Sequence, residues 1–265
     1  MLSNHTSDPI ESQLREEALY KPYQSLNAYL KKKYGEKIYK IALDGGFTCP
    51  NRDGTCGTRG CIFCSAGGSG EFATAIRQNS SIDAQIAQAL ARFGNKQTGQ
   101  RFIAYFPAYT GTYAAPERLY ALYHMALSHP KIIGISIATR PDCLPAPVLD
   151  VIKQCQMEFP DKFVWIELGL QSVHEKTALY IRRGYPLSCF EEALETLQTM
   201  SVPVIVHVIL GLPGETRADM LATIDYLSHK NIFGIKLQLL HVLRGTDLAA
   251  EYERGVFSCL SKEAY

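Results

Sequence analysis

Long apolar runs and a strong excess of one charge are both missing from this sequence. None of the apolar runs in its 265 residues approaches the ~20 residues that a membrane-spanning helix needs. Residues 1–8 are polar and lack the charged and apolar regions of a signal peptide. A net charge of +1 gives no general attraction to nucleic acid, which would need a local basic patch. We therefore expect a cytoplasmic protein that does not associate with a membrane.

Half of the cysteines lie in one short stretch. Four of the eight cysteines fall within residues 49–64, together with several glycines and a proline. Glycine and proline at this density prevent a regular helix or strand, so the stretch is predicted to be a loop. Disulfides are rare in the cytoplasm, where clustered cysteines are more often metal ligands or catalytic groups. We predict a loop that holds a metal ion or an iron–sulfur cluster.

Two sets of three cysteines in this loop are possible ligands. Cys49, Cys61 and Cys64 have the spacing C-x11-C-x2-C, whereas Cys56 in place of Cys49 gives C-x4-C-x2-C. A closed structural zinc site or an electron-transfer cluster uses four protein ligands. Three ligands would leave one iron of a four-iron cluster open to a substrate or cofactor. Spacing alone does not choose between the two sets, and Phe63 would provide an apolar cover for either.

Apolar, β-branched segments alternate with helical patterns along most of the chain. Such alternation predicts an α/β fold, either an open sheet or a closed or partial barrel. The nearly continuous apolar character of these segments is typical of buried parallel strands. The predicted strands, six in number, lie at residues 37–43, 102–106, 132–138, 163–168, 202–210 and 234–240.

Helix signals divide the chain into an extension and a core. Apolar spacing over residues 10–34 predicts one or two helices, so residues 1–36 are assigned to an N-terminal helical extension and residues 37–265 to one core domain. Ser81 and Thr216 are predicted to cap helices at their first turn. Ser188, with Glu191 three residues later, is predicted to form a capping box.

Ligands of parallel sheets collect at the carboxyl ends of the strands, where the cysteine loop also lies. Glu167 and Gln171 are predicted at the end of the fourth strand, in position to bind hydroxyl groups. A buried glutamate needs a partner, which would be a ligand or Arg183. His207, inside the fifth strand, is predicted to be a core histidine rather than a base, whereas His241 follows the sixth strand at the active face.

Several motifs carry a resemblance to a known family. The pair Cys61-Ile62-Phe63-Cys64 after the first of six strands resembles the radical S-adenosylmethionine (SAM) superfamily. The string DGGFTCPNRDG at residues 44–54 resembles a narrower group, the bacterial YhcC/YtqA-type proteins, which are related to the catalytic subunit of Elongator. The resemblance spans most of the chain from about residue 23, and includes ELGLQS at 167–172, Arg183-Gly184 and HVILGLPGET at 207–216.

The resemblance implies a fold, a cluster and a reaction. It implies a partial (β/α)6 radical-SAM barrel with a [4Fe-4S] cluster on Cys49, Cys61 and Cys64. SAM would chelate the fourth iron through its amino and carboxylate groups. Reductive cleavage of SAM would give a 5′-deoxyadenosyl radical, which abstracts hydrogen from the substrate. Cys49 is preferred to Cys56 because it lies in the family string beside Pro50.

The resemblance also implies contacts and partners. The usual Gly-Gly-Glu after the second strand is absent here, and residues 105–113 offer aromatic and hydroxyl groups instead. The substrate is expected to be tRNA, modified on the carbon-5 side chain of the wobble uridine, with flavodoxin or ferredoxin as electron donor. Family members continue past residue 265, so a C-terminal segment is expected to be missing from this chain. No catalytic residue is predicted, and the expected SAM contacts are Phe63, Tyr105, Glu167, Gln171, Arg183 and Gly211.

Two alternative functions stay open at this point. The first keeps the radical SAM enzyme but replaces tRNA with a small-molecule or protein substrate. The second is a non-catalytic zinc-binding or electron-transfer protein that uses all four loop cysteines.

Overall fold

The computed structural model describes residues 23–68, 81–93 and 99–265. The chain divides into two compact units, residues 1–38 and residues 39–265. Among the described residues, no helix is long and apolar enough to cross a membrane.

The described part of the first unit contains one helix. Helix α1 spans Leu26–Tyr34, and the Ser25 hydroxyl at its start accepts a hydrogen bond from the Ala28 amide at 3.2 Å. Gly35 ends the helix with a φ of 76°, which glycine adopts without steric cost. The part of the predicted helical extension before residue 23 lies outside the described residues.

A parallel sheet of six strands forms the centre of the second unit, and the strands follow one another in chain order. Each strand pairs with the next one in the sequence, and the sheet curls into a half-barrel. The predicted partial α/β barrel is therefore confirmed. Strands β1 to β6 are Tyr39–Ala42, Phe102–Phe106, Ile132–Thr139, Phe163–Gln171, Val204–Leu210 and Gly234–Leu239.

Helices connect the strands and bury their apolar faces against the sheet. Fully buried side chains such as Leu119, Phe190 and Leu197 pack with the apolar residues of the strands in one core. This burial is the main stabilising contribution to the fold. Helices α2 to α8 are Ile82–Phe93, Pro116–Ser128, Ala146–Glu158, Glu175–Tyr180, Leu187–Thr199, Arg217–Ser228 and Asp247–Glu253.

Two predicted helix caps are present. Thr216 caps α7 in a capping box with Asp219, in which each side chain bonds the backbone of the other residue. The Ser81 hydroxyl accepts a hydrogen bond from the Ala84 amide at 3.2 Å at the start of α2.

The predicted capping box at Ser188 is wrong. Helix α6 already begins at Leu187, and its N-cap residue is Pro186, which has no side-chain cap. The fixed φ of proline suits the extended backbone just before the helix, so the helix starts one residue earlier than Ser188. Sequence reasoning also missed α5, because a helix of six residues is too short to show a clear period.

Candidate active site

A cavity of about 390 Å³ is lined by residues from every strand of the half-barrel and by the cysteine loop. Because parallel strands all end at the same edge, this edge collects side chains from distant parts of the chain. The volume lies in the range of about 300–1,000 Å³ that is typical of cofactor and small-molecule sites.

Three loop cysteines share the wall of this cavity, namely Cys49, Cys61 and Cys64. Cys56 is exposed and is not part of the wall. In the part of the chain that the structure describes, no three His, Cys, Asp or Glu side chains converge closely enough to hold a single metal ion. The three thiols therefore face one cavity without meeting at one point.

Asn51 fixes the position of Cys61. Its side chain is buried and donates hydrogen bonds to the carbonyls of Arg182 at 2.8 Å and Arg183 at 3.2 Å. The same amide nitrogen lies 3.6 Å from Cys61 Sγ, in hydrogen-bonding geometry. Asn51 thus joins the cysteine loop to the segment after α5, and it orients one of the three thiols. Sequence reasoning did not single out this residue.

Gly184 makes room for Asn51. A Cβ atom at Gly184 would lie 2.6 Å from Asn51 Oδ1, and its φ of 84° is unfavourable for other residues. The Arg183-Gly184 pair of the family string therefore has a steric role beside the cysteine loop.

Arg52 closes the other end of the loop. Its guanidinium donates hydrogen bonds to the carbonyls of Cys64 at 2.8 Å and Ser65 at 2.5 Å. The guanidinium also lies over the Tyr109 ring, 5.6 Å from the ring centroid. These contacts place a fixed positive charge beside the thiols.

Burial governs the protonation of Cys61. Removal from water, with a smaller effect of nearby Cys64, raises the pKa of the Cys61 thiol to about 11, against the opposing effects of Arg140 and Asn51. Binding of iron would therefore have to displace a proton from this thiol, because only the thiolate is a ligand.

Three buried polar side-chain atoms have no partner among the described residues, and two of them belong to residues on the cavity wall. Thr110 Oγ1 and Gln171 Oε1 are both buried and unbonded, and both residues line the cavity. A buried polar atom without a partner is costly, so these two atoms are available to a ligand that enters the cavity. The Gln171 oxygen accepts hydrogen bonds from hydroxyl groups, and the Thr110 hydroxyl can donate or accept.

The end of β4 is shaped to present Gln171. The register between β4 and β5 shifts between Gly169 and Gln171, and Gln171 has a φ of 67°. This left-handed conformation costs a non-glycine residue about 1–2 kcal/mol. Such strain is often found at functional sites, where the surrounding structure maintains it.

Arg183 holds the backbone at this end of β4 through hydrogen bonds. Its guanidinium donates to the carbonyls of Leu170 at 3.0 Å, Ser172 at 2.7 Å and Tyr185 at 3.0 Å. The Arg183 side chain is only 1% exposed and also lies 3.4 Å from Glu175. The predicted alternative of a Glu167–Arg183 pair is therefore wrong, because Arg183 is held by backbone carbonyls.

Arg140 completes the same wall. It forms an ion pair with Asp142 at 2.6 Å and donates to the Arg183 carbonyl at 2.9 Å. The Arg140 and Arg183 guanidinium groups each lie 4.9 Å from the centre of the Tyr185 ring, and the Tyr185 hydroxyl donates to the Gly169 carbonyl at 2.9 Å.

The nearly continuous apolar character of the strands is interrupted on the inner face of the half-barrel. Each strand contributes one polar side chain to a cluster, which we call the strand cluster. The register pairs His207 directly with Lys236, and Tyr105 with Ser136. The reason is that the inner face surrounds a cavity and not a second layer of helices. The strand cluster consists of Lys40, Tyr105, Ser136, Glu167, His207 and Lys236.

Glu167 is the centre of the strand cluster. Its Oε1 accepts hydrogen bonds from Lys40 and from the Ser136 hydroxyl, the latter at 2.5 Å. Its Oε2 accepts from His207 Nε2 at 2.6 Å and lies 3.4 Å from the Lys236 ammonium group. Its side chain is fully buried, and these contacts use both oxygens.

Burial and neighbouring charges shift the pKa values of three side chains in the strand cluster. Burial alone would raise the pKa of Glu167, but the His207 hydrogen bond and the charge of Lys40 outweigh it and lower the pKa. Burial lowers the pKa of His207 against the opposing effect of Glu167, so His207 is neutral and donates through Nε2. Burial likewise raises the pKa of the Tyr105 phenol, which stays protonated.

Sequence reasoning missed Lys40, Ser136 and Lys236. A signal was present, because each predicted strand carries only one or two polar residues in an otherwise apolar segment. His207, predicted to be a core histidine, is hydrogen-bonded in the strand cluster and also lines the cavity.

The remaining residues predicted at the active face or in contact with SAM differ in whether they line the cavity. Phe63 and Tyr105 line the cavity, as does His241. Gly211 does not belong to the wall that the described residues form. It has a φ of 82°, and a Cβ there would lie 3.0 Å from the Leu260 side chain. Ile209, earlier in β5, takes its place on the wall.

Comparison with known proteins identifies the class. The sequence pattern of the Radical SAM superfamily matches residues 53–227. This chain therefore belongs to the radical SAM superfamily and is an enzyme of that class.

Within the superfamily the chain is of the YhcC type. It is 42% identical to YtqA of Bacillus subtilis over 245 residues, which cover 92% of this chain and 74% of YtqA. It is 39% identical to YhcC of Escherichia coli K12 over 236 residues, 89% of this chain and 74% of YhcC. A more distant similarity, 28% over 140 residues, links it to Elongator complex protein 3 of Drosophila melanogaster, covering 51% of this chain and 24% of that protein.

Solved structures share the fold. The archaeal Elp3 of Methanocaldococcus infernus, in a form with an N-terminal deletion, superposes with a TM-score of 0.60 at 14% identity and covers 86% of this chain. The Escherichia coli coproporphyrinogen III oxidase HemN, a radical SAM enzyme, gives a TM-score of 0.56 at 16% identity and covers 95% of this chain. This chain spans 51% of the Elp3 structure and 57% of the HemN structure.

Proposed function

We propose that this enzyme cleaves SAM reductively at a [4Fe-4S] cluster on Cys49, Cys61 and Cys64, and that it modifies the carbon-5 side chain of the wobble uridine in tRNA. The observation that carries the proposal is the shared cavity wall of these three thiols, where two buried polar atoms lack partners. When bound, the cluster and SAM supply the hydrogen-abstracting chemistry. The superfamily implies both groups. Three cysteines and two unpartnered polar atoms on one cavity wall are the donors and acceptors that these groups would use.

The chain's own residues bind and orient these groups. Asn51 holds Cys61 at the wall through its contact with the sulfur. Gln171 Oε1 accepts hydrogen bonds from the ribose hydroxyls of SAM, and the Thr110 hydroxyl binds the amino or carboxylate end. The position of Thr110 within residues 105–113 supports this second assignment, since those residues replace the usual Gly-Gly-Glu.

Other predicted contacts take different roles in this proposal. Phe63 lies on the cavity wall and packs against the apolar cluster that contains Ile62 and Leu212, so it excludes water from the cysteines. Arg183 positions Gln171 through the Leu170 and Ser172 carbonyls and does not bind the SAM carboxylate.

Glu167 and Gly211 are not assigned to SAM. The carboxylate oxygens of Glu167 already accept hydrogen bonds from Lys40, Ser136 and His207, which leaves it a role within the strand cluster. Gly211 shapes the turn after β5, where its amide lies 3.2 Å from the sulfur of Met220.

Support for tRNA as substrate comes from the similarity to Elongator complex protein 3 and from the aromatic residues on the wall. Tyr105 and Tyr109 line the cavity. A base extruded from a tRNA loop would stack there beside the cations that already lie over these rings, Lys40 and Lys236 at Tyr105 and Arg52 at Tyr109. A cytoplasmic location, with flavodoxin or ferredoxin as the electron donor, completes the proposal.

Nucleoside analysis tests the substrate. Bulk tRNA is digested from a strain that lacks the gene, and from the same strain carrying the wild type or Cys61→Ala. We expect the modified wobble uridine to be lost in the deletion strain, restored by the wild type and not restored by Cys61→Ala. Unchanged wobble uridine in all three strains would refute the tRNA substrate and favour a small molecule or protein.

A further inference from the structure

Lys236 is a cation whose charge is only weakly balanced. Glu167 is the only acidic side chain on the cavity wall that the described residues form. Its contact with Lys40 is much shorter than its 3.4 Å contact with Lys236. The single carboxylate of Glu167 is therefore shared by two lysine side chains and the His207 ring.

The other cations of the wall are already engaged. Arg140 pairs with Asp142 at 2.6 Å, and Arg183 donates to backbone carbonyls and contacts Glu175. Lys40 bonds Glu167 and is not part of the wall. Lys236 is therefore the lysine that presents its charge to the cavity.

Lys236 also has a hydrogen-bond donor to spare. An ammonium group has three N–H bonds. Lys236 directs one to the Tyr105 hydroxyl at 3.1 Å and one weakly to Glu167 at 3.4 Å. No third hydrogen-bond acceptor is present within the described ranges, and the ammonium group also lies 5.2 Å from the centre of the Tyr105 ring. The Lys236 side chain is 39% exposed while it lines the cavity.

The position of Lys236 separates it from the cysteines. On β6 it precedes Gln238 and Leu239, which line the cavity closer to the carboxyl end. On β4 its partner Glu167 lies four residues before Gln171, which corresponds to about 13 Å along a strand. Lys236 thus lies further from the carboxyl ends of the strands than Gln171 does, on the edge strand β6.

We propose that Lys236 binds a compact oxyanion, a carboxylate or a phosphate, on a substrate or second substrate that enters the cavity. The Tyr105 hydroxyl and Glu167 hold the ammonium group in place. The inference rests on the proposed function only in that the cavity is taken as the place where the substrate binds.

Lysine labelling of the reconstituted holoenzyme tests this site directly. An amine-acylating reagent is applied with and without inorganic phosphate or malonate, and the modification of each lysine is followed by mass spectrometry. We expect one probe, at ten times its Kd, to slow the labelling of Lys236 about tenfold. Lys153, exposed on α4, should label at an unchanged rate. Whichever anion protects Lys236 identifies the oxyanion as carboxylate or phosphate.

Calorimetric titration of two variants with the same probe provides the matched comparison. Loss of a charge-assisted hydrogen bond in Lys236→Met should weaken probe binding about tenfold or more, whereas Lys153→Met should bind as the wild type does. Equal labelling of Lys236 with and without both probes would overturn the proposal, even if Lys236→Met does not fold. Neither measurement requires SAM cleavage or tRNA, so failure of the proposed function would be recognised separately.

Discussion

Cys49 and Cys56 belong to the same loop, yet they have different surroundings. Cys49 lines the cavity with Cys61 and Cys64, whereas Cys56 is exposed. The two residues therefore form a matched pair, since both are loop cysteines and only one has a sulfur at the cavity wall.

Alanine substitutions at these two positions test which cysteine binds iron. We expect Cys49→Ala to lose the iron and sulfide of the reconstituted protein, and Cys56→Ala to retain both, because three thiolates are needed to hold the cluster. Iron and sulfide analysis after anaerobic reconstitution measures the difference. A Cys56→Ala protein without iron, together with an intact Cys49→Ala protein, would assign the ligand set to Cys56, Cys61 and Cys64.

Glu167 balances the buried charges of the strand cluster. Replacement by glutamine leaves Lys40 and Lys236 without a buried counter-charge. We expect Glu167→Gln to lower the free energy of unfolding by about 3 kcal/mol, the lower end for a broken buried ion pair because both lysines are partly exposed. Urea denaturation measures the effect. As a control, Glu191→Gln breaks an exposed ion pair with Lys230 and should change the free energy of unfolding by less than about 1 kcal/mol.

The pH dependence of this difference follows from the lowered pKa of Glu167. A carboxyl group whose pKa is lower in the folded state stabilises the protein fully above its unfolded pKa of about 4.3. That contribution is lost as the pH falls towards the folded value. The difference in free energy of unfolding between wild type and Glu167→Gln should therefore be constant near neutral pH. It should become smaller only below about pH 4.3. A difference that becomes smaller near pH 7 would contradict the charge assignment.

At Gln171, at the end of β4, the roles of the backbone and of the side chain can be tested separately. Gln171 has a φ of 67°, and glycine would relieve the strain while removing the buried acceptor. Because glycine also gains freedom in the unfolded chain, we expect Gln171→Gly to change the free energy of unfolding by less than about 1 kcal/mol. The affinity for SAM, measured by equilibrium dialysis, should fall about five- to tenfold.

Ser201→Gly is the control for backbone strain. Ser201 has a φ of 57° and is exposed at the end of α6, away from the cavity wall. Its replacement should leave SAM affinity unchanged. Equal SAM affinity in both variants and the wild type would show that Gln171 does not contact the cofactor.

The turn at Gly184 is an element that touches the cysteine loop. A Cβ at this position would collide with Asn51, whereas a Cβ at Gly214, which has a similar φ of 83°, would meet nothing within 4 Å. Both alanine variants incur the strain of a left-handed conformation. We expect only Gly184→Ala to lose iron during reconstitution, because it displaces the residue that orients Cys61. Similar iron contents in the two variants would show that the position of Asn51 does not affect cluster binding.

The elements were predictable to different degrees for physical reasons. Long apolar strands such as Val204–Leu210 have a clear local pattern that predicted an α/β fold, whereas the partial barrel was predicted from the family resemblance. The start of α6 was misplaced because the backbone at Pro186 decides it and not the hydroxyl of Ser188. The polar inner face was missed because apolar content was counted over whole strands.

At the scale of the whole molecule, the site is assembled from contacts that no local motif contains. The family strings predicted Cys49, Cys61 and Cys64 as cluster ligands, and the structure places them on one wall. The contact of Asn51 with the Arg182 carbonyl spans 131 positions of sequence, and that of Lys236 with Tyr105 spans the same distance. Such contacts form only when the sheet curls into a half-barrel, so they could not be predicted from the sequence alone.

The cavity also brings together residues from the first and the last strand of the core. Ala42 of β1 and Gln238 of β6 line the same cavity, as do the cysteines between β1 and β2. The cysteine loop and residues of the strand cluster therefore border one cavity along a continuous sheet.

Formation of 5′-deoxyadenosine is the most direct test of the central claim that these three cysteines support radical SAM chemistry. The protein is reconstituted anaerobically with iron and sulfide, reduced in the presence of SAM and analysed for 5′-deoxyadenosine, with Cys61→Ala treated in parallel. We expect the wild type to bind iron and sulfide and to release 5′-deoxyadenosine, and Cys61→Ala to do neither. A colourless wild-type protein that retains one zinc ion and forms no 5′-deoxyadenosine would contradict the account.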